Sequence, residues 1–191
     1  ALLPRDHESL SVVVPWSDRL FQYTVKDVGR PLRGRLRVAG ASYDVDPAES
    51  FGVLDHGRGR WPYSITWNWG AGYGEVDGRP TGLQVGGKWT DGTGSTENAL
   101  FVDGVAHKIS DELAWDYDTT DPAAPWHVHG EGVDAVLTPF HERVSRTDLG
   151  VVASEAHQCF GTWSGWATTS TGERVPVDGL VGWAEEARNR W

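Results

Sequence analysis

"YSITWNW", residues 63–69, alternates strictly: Tyr63, Ile65, Trp67 and Trp69 fall on one side, Ser64, Thr66 and Asn68 on the other. Successive side chains of a β-strand point to opposite faces, so a period-two pattern predicts a strand half-buried against a core. The same period runs through Phe21, Tyr23 and Val25 against Gln22, Thr24 and Lys26. Further strands are predicted at residues 9–14, 34–45, 50–55, 80–88, 98–109, 112–118, 133–139, 149–157 and 160–169. Turn signals separate them: Val38-Ala39-Gly40-Ala41, Val76-Asp77-Gly78, Val102-Asp103-Gly104 and Thr171-Gly172. Asp-Gly pairs favour the tight turns that join neighbouring antiparallel strands. At the C-terminus, Leu180, Trp183, Ala184, Ala187 and Trp191 share a helical face, with Asp178 placed to cap it and Glu186 to Arg190 as a supporting pair. Many consecutive strands and one short C-terminal helix point to an all-β, up-and-down antiparallel barrel or a sandwich. The barrel is favoured, because closing a sheet removes its edges and leaves room for a small ligand.

The chain has 191 residues, enough for one domain over 1–191. A formal net charge of -10 would repel phosphate backbones, which excludes nucleic acid as an expected partner. Arg33, Arg35 and Arg37 recur at every second residue, as on the solvated face of a strand. A lone cysteine, Cys159, excludes an internal disulfide and a cysteine-based zinc site. No apolar run reaches the roughly 20 residues of a membrane helix and no signal-peptide pattern opens the chain, so a cytoplasmic protein without a membrane partner is expected. There is no methionine, even at position 1, so the chain is expected to be either processed or cut from something longer.

"GGKWTDGTGSTENAL", residues 86–100, is not a nucleotide loop, since Lys88 is followed by Trp89 and no helix follows. Its Asp91, Thr93, Ser95 and Glu97 alternate oxygens as calcium loops do, without the further carboxylates of such loops. "DHGRGRWPY" at 55–63 fails as a dinucleotide fingerprint, and "GTWSGW" from Gly161 lacks the spacing of a nucleophile elbow. Glu155, His157 and Cys159 share a strand face at a spacing too long for a thiol to pass its proton to the imidazole. His127 and His129 share a face and, with His141 or Glu142, would make a two-His-one-carboxylate site; an exposed or hydrogen-bonded pair is the favoured reading, and no metal or cofactor is expected. The 11 tryptophans either fill the core or line a cavity.

The carboxylates Asp55, Asp91, Glu97, Glu142 and Glu155 and the bases Arg58, Lys88, Arg143 and His157 lie beside aromatics. That mixture fits either the polar floor of an apolar cavity or a set of internal ion pairs. In the cavity reading, buried carboxylates have raised pKa values and act as general acids. Glycines around Arg58 let it bend inward, where it is expected to pair with one of Asp55, Asp91, Glu97 or Glu142.

"ESLSVVVPWSDRLFQYTVK", "FGVLDHGRGRWPYSITWNWG", "GGKWTDGTGSTENAL", "LTPFHERV", "EAHQCFG" and "LVGWAEEARNRW" together resemble the carboxyl-terminal part of a bacterial family known as domain of unknown function 2804. That family is distantly similar to two-barrel lipocalin-like proteins that include carotenoid hydratases. The resemblance implies a lipocalin-like (calycin-type) barrel with an N-terminal companion barrel or a homodimer partner, and it carries over no catalytic residue. Cys159 and the histidines at 127 and 129 depart from the family pattern.

Two functions follow as expectations. In one, the barrel binds a largely apolar small molecule and transforms it without a cofactor, by hydration, isomerisation or cyclisation. Asp55, Glu97 and Asp91 are then the candidate catalytic residues, with Arg58, Trp61, Trp67, Asn68, Lys88, Trp89, Asn98, Glu142 and His157 binding the ligand. In the other, the chain is a non-catalytic carrier or a half-protein whose aromatic face packs against a companion domain.

Overall fold

The computed structural model describes residues 1–121 and 123–191. In chain order the strands are β1 (Leu10–Pro15), β2 (Phe21–Pro31), β3 (Gly34–Val38), β4 (Ala41–Val45), β5 (Phe51–Arg60), β6 (Ser64–Val76), β7 (Arg79–Gly87), β8 (Asn98–Val102), β9 (Val105–Ile109), β10 (Ala114–Asp116), β11 (Trp126–His129), β12 (Val133–Asp148), β13 (Ala153–Thr168), β14 (Arg174–Pro176) and β15 (Val181–Arg190). Ten of them form one antiparallel sheet in the order β10-β11-β12-β13-β15-β6-β7-β8-β9, with β14 against β13. The turn chemistry explains the hairpins. Asp77-Gly78 and Asp103-Gly104 both have positive φ at each central residue, 51° and 77° in the first and 51° and 83° in the second. Those are the mirror-image turns whose twist matches that of paired strands.

The large sheet curls into a half-barrel. Leu83 and Val85 of β7, Leu100 of β8 and Ile109 of β9 share one core with Trp126 of β11 and Leu137 of β12, so strands from both ends of the sheet meet on its inner face. At the centre stands Trp163 of β13, fully buried, its indole N–H donating to the Ala71 carbonyl at 3.1 Å. It fits because β6 carries glycines opposite: a Cβ at Gly72 would meet the Trp163 ring at 2.5 Å, one at Gly70 at 3.0 Å. This is the all-β, antiparallel class that the alternation predicts, but in place of the expected closed barrel the sheet is a half-barrel that ends at β10 and β9.

A three-stranded sheet, β1-β2-β5, covers the outer face of the same strands. Leu10 and Val28 pack on Ala71, Ala99 and Phe101, while Val14 packs with Ile65 and Trp89. The centre of the large sheet is therefore covered on both faces, and β3 and β4 form a separate, exposed hairpin.

The expected C-terminal helix is a strand. Residues 181–190 pair with β13 on one side and β6 on the other, over ten residues each way. Pairing with two long strands at once outweighs the helical reading of a single short run. Among the described residues there is no helix long and apolar enough to cross a membrane. The expected strands 149–157 and 160–169 are one strand, β13, which with β12 makes a hairpin of two 16-residue arms turning at residues 149–152.

Gly182 is where these central strands come closest: a Cβ there would meet the Ala71 carbonyl at 1.8 Å. Gly182→Ala must push β15 away from β6, and the expected loss in urea unfolding is about 1–3 kcal/mol. The same substitution at Gly172, where a Cβ meets nothing within 4 Å but φ is +84°, separates backbone strain from crowding.

Candidate functional site

A cleft of about 260 Å³ opens between the three-stranded sheet and the outer face of the large sheet. It lies outside the half-barrel, whereas the sequence pointed to a cavity inside the barrel. Its walls are indoles: Trp61, Trp67, Trp69, Trp89 and Trp191. Trp61 is the hub, stacked on Trp89 at 5.9 Å between centroids and 12° between planes, and within 6.1 Å of Trp67 and 5.9 Å of Trp191. The Trp61 N–H donates to Gln22 Oε1 at 2.7 Å, which fixes the ring to β2.

The floor is charged. Glu97 is 1% exposed, and its Oε1 lies 3.6 Å from Lys26 Nζ, too far for a hydrogen bond, with no other partner. Lys26 reaches Asp55 at 2.9 Å and sits 3.9 Å from the centre of the Trp69 ring. Burial pushes the Glu97 carboxyl up to about 7; the Lys26 ammonium opposes that rise and the Asp55 carboxylate adds to it. Glu185 is the third acid. Burial raises its pKa too, but its oxygens accept from Trp67 at 3.1 Å and Gln158 at 2.8 Å, so it is satisfied where Glu97 is not.

The residues singled out in the sequence divide between the two faces of the large sheet. Asp55, Glu97, Trp61, Trp67 and Trp89 line the cleft. Asn68, Lys88, Glu142 and His157 belong to the opposite, inner face. There Lys88 and Tyr117 both contact the Glu186 carboxylate, and Asn68 donates to Tyr117 at 3.1 Å. His157 lies 3.6 Å from Glu142 and 3.1 Å from Glu155. Lys88 is thus paired with a carboxylate inside the fold, and His157 stands between two. Cys159 lies buried on that face, and burial pushes its thiol up, away from the reactive thiolate.

Three expected roles meet a different geometry. Asp91 is exposed and accepts the Lys88 backbone N–H at 2.9 Å, closing the turn after β7. Asn98 is buried, accepting from Gly86 N–H and donating to the Asp111 carbonyl, both at 2.8 Å. With Asp91 at the turn, Ser95 bonded to the Val13 carbonyl at 2.8 Å and Glu97 in the cleft, the oxygens of a calcium loop do not converge. Arg58 is exposed. Opposite Lys26, Thr24 and Gln22 on β2 stand Asp55, Gly57 and Gly59 of β5, which places Arg58 and Arg60 on the other side. The inward cation is Lys26.

Sequence reasoning missed Gln22, Thr24, Lys26, Trp69, Glu185 and Trp191 as cleft residues. Gln22, Thr24 and Lys26 form the polar side of an alternating strand, and such a side is ordinarily the solvated one. Here it is the buried side, while Phe21 is 43% exposed. Glu185 was hidden by the helical reading of its segment.

A family model described as "Domain of unknown function (DUF2804)" matches residues 2–191. Among solved structures, kievitone hydratase from Nectria haematococca is similar at 14% identity and a TM-score of 0.49, over 90% of this chain and 53% of that one. The chain thus spans about half the length of that protein. No curated protein matches the chain.

Proposed function

The chain belongs to the family described as Domain of unknown function (DUF2804), and from that premise we propose that it binds a small, largely apolar ring compound in the tryptophan-walled cleft and transforms it by cofactor-free proton transfer. One observation carries this reading. A fully buried carboxyl whose Oε1 has no hydrogen-bond partner, Glu97, faces a space walled by indoles, and its pKa of about 7 lets it hold or release a proton near neutrality. Drug-sized ligands occupy about 300–1,000 Å³. A cleft of about 260 Å³ suits something smaller, of one or two rings.

In the hydration variant, protonated Glu97 gives its proton to the substrate. Asp55, partly open to solvent and held by Lys26, takes one from the incoming water. Lys26, 3.6 Å from Glu97, stabilises the carboxylate left when Glu97 gives up its proton, and the proton taken by Asp55 restores the donor for the next turn. Isomerisation and cyclisation use the same donor, with the proton returned from another carbon.

Incubating the protein with cell extract and identifying retained compounds by mass spectrometry supplies the ligand. Trp89→Ala is then expected to weaken its binding at least tenfold by calorimetry, since a ring contact and its buried area are lost. Glu97→Gln should bind it and fail to turn it over. Retention unaffected by Trp89→Ala would sink the cleft as the site, and turnover by Glu97→Gln would sink the proton donor.

The second reading, a carrier or a half-protein packed on a companion, is favoured by apolar side chains left in solvent. Phe140, Leu149 and Val151 on the long β12–β13 hairpin are 65%, 74% and 72% exposed. A retained ligand that is never altered, by parent or variant, selects this reading.

A further inference from the structure

The outer face of the large sheet is uncovered at its β10 edge, away from the cleft, and there the chain brings two imidazoles and two carboxylates together. His127 and His129, two residues apart on β11, stack at 4.6 Å between ring centres and 30° between planes. Asp116 of β10 meets His129 Nε2 at 3.0 Å, and Asp134 of β12 meets His127 Nε2 at 2.8 Å. One donor atom from each of Asp116, His127 and His129 lies within 4.8 Å of the others. We propose that Asp116, His127 and His129 form a binding site for a divalent first-row transition ion of the zinc, nickel or copper group, with Asp134 beside it as fourth ligand or as acceptor from bound water.

The donor chemistry selects the ion class. Imidazole nitrogens with a carboxylate oxygen suit zinc, nickel and copper, whereas calcium and magnesium call for oxygen donors throughout. Ligands bound at about 2.0–2.2 Å lie some 3.3–4.2 Å from one another around one ion. The widest separation in the group, at most 4.8 Å, therefore has to close by up to about an ångström, and the Asp116–His129 pair, at 3.0 Å, has to open slightly to admit the ion. Their side chains are 39% to 73% exposed and free to rotate that far. The third ligand expected from the sequence, His141 or Glu142, is not part of the group; Asp116 takes that place because β10 pairs with β11 in the register that sets Asp116 opposite His127.

Such an ion would clip the edge of the sheet. β10 has three residues and pairs only with β11, so little else holds it. On its other face Trp115 and Tyr117 pack into the core, and Tyr117 stacks on Trp126 at 4.1 Å. Binding outside therefore steadies aromatic packing inside.

The test uses tag-free protein stripped with chelator and titrated calorimetrically with Zn²⁺ and with Ni²⁺. The expected result is one ion per chain with Kd below about 100 µM, weakened at least tenfold in His127→Ala, in His129→Ala and in Asp116→Asn. His141→Ala, an exposed histidine outside the group, should bind as the parent does. Hydrogen exchange of the β10 and β11 amides should slow on binding. Weaker binding than that in the parent, or binding that survives in the His127→Ala, His129→Ala double variant, overturns the proposal. Circular dichroism of the variants, expected to match the parent, shows that any loss is one of ligands and not of fold.

Discussion

Replacing Trp163 by alanine is expected to lower the unfolding free energy by about 3–5 kcal/mol, the range for emptying a large aromatic position in a packed core. Trp163 has no exposed surface, and it lies among strands that cannot close in on the space it leaves. β13, which carries it, is paired along its length with β12, with β15 up to Thr162 and with β14 from Trp166, and facing β6 is held between β15 and β7. The loss includes a hydrogen bond, because the Ala71 carbonyl would no longer receive the indole N–H. Urea unfolding followed by far-ultraviolet circular dichroism measures it without relying on tryptophan emission. Trp191→Ala, at a position 46% exposed, is the comparison and should cost under about 1 kcal/mol. A loss at Trp163 no larger than that would mean the half-barrel core is not organised around this side chain.

Raising the pH from 4.5 to 7 is expected to cost the protein roughly 3 kcal/mol of stability through Glu97 alone. The carboxyl titrates at about 7 when folded, against 4.5 as the reference for the unfolded chain. Below 4.5 both states carry the proton and the group makes no difference. Between 4.5 and 7 the folded state keeps a proton that the unfolded state has released, so stability falls as pH rises, and above 7 the loss is complete. Glu97→Gln cannot ionise. It should remove that slope and exceed the parent in stability at pH 8, while matching it near pH 4.5. Unfolding curves of both proteins at pH 4.5, 6 and 8 decide the matter, and parallel pH profiles would show that the cleft does not hold Glu97 in an unusual state.

Stability and the proposed activity thus meet in one residue. A carboxyl kept from water, with one oxygen unpartnered, destabilises the fold at neutral pH, and the same condition suits it to the proposed role of proton donor. Lys26, paired with Asp55 and leaning on Trp69, tempers the cost without removing it.

The β architecture was legible because it is local. The alternation in residues 63–69, the Asp77-Gly78 and Asp103-Gly104 turns and the spacing between them each constrain a few consecutive backbone angles, and each is present in the structure. The reading failed at residues 180–191, where the local pattern is a helical face and only the pairing partners on either side make the segment a strand.

The site shows the same division. Sequence alone identified Asp55, Glu97, Trp61, Trp67 and Trp89 as candidates, by residue type and proximity along the chain. It could not say that Asn68, Lys88, Glu142 and His157 lie on the opposite face, because period two tells which residues share a side of one strand and not which side meets which sheet. Nor could it turn Gln22, Thr24 and Lys26 inward or Arg58 outward. That choice was made by the docking of the three-stranded sheet, which buries a polar strand face against indoles and leaves Phe21 in solvent. By itself the sequence determined the strands, the turns and the chemistry available; the tertiary structure decided where that chemistry is dry. A raised pKa, a cleft and an ion-binding group all depend on distances between strands far apart in the chain, and those distances exist only once the sheets have packed.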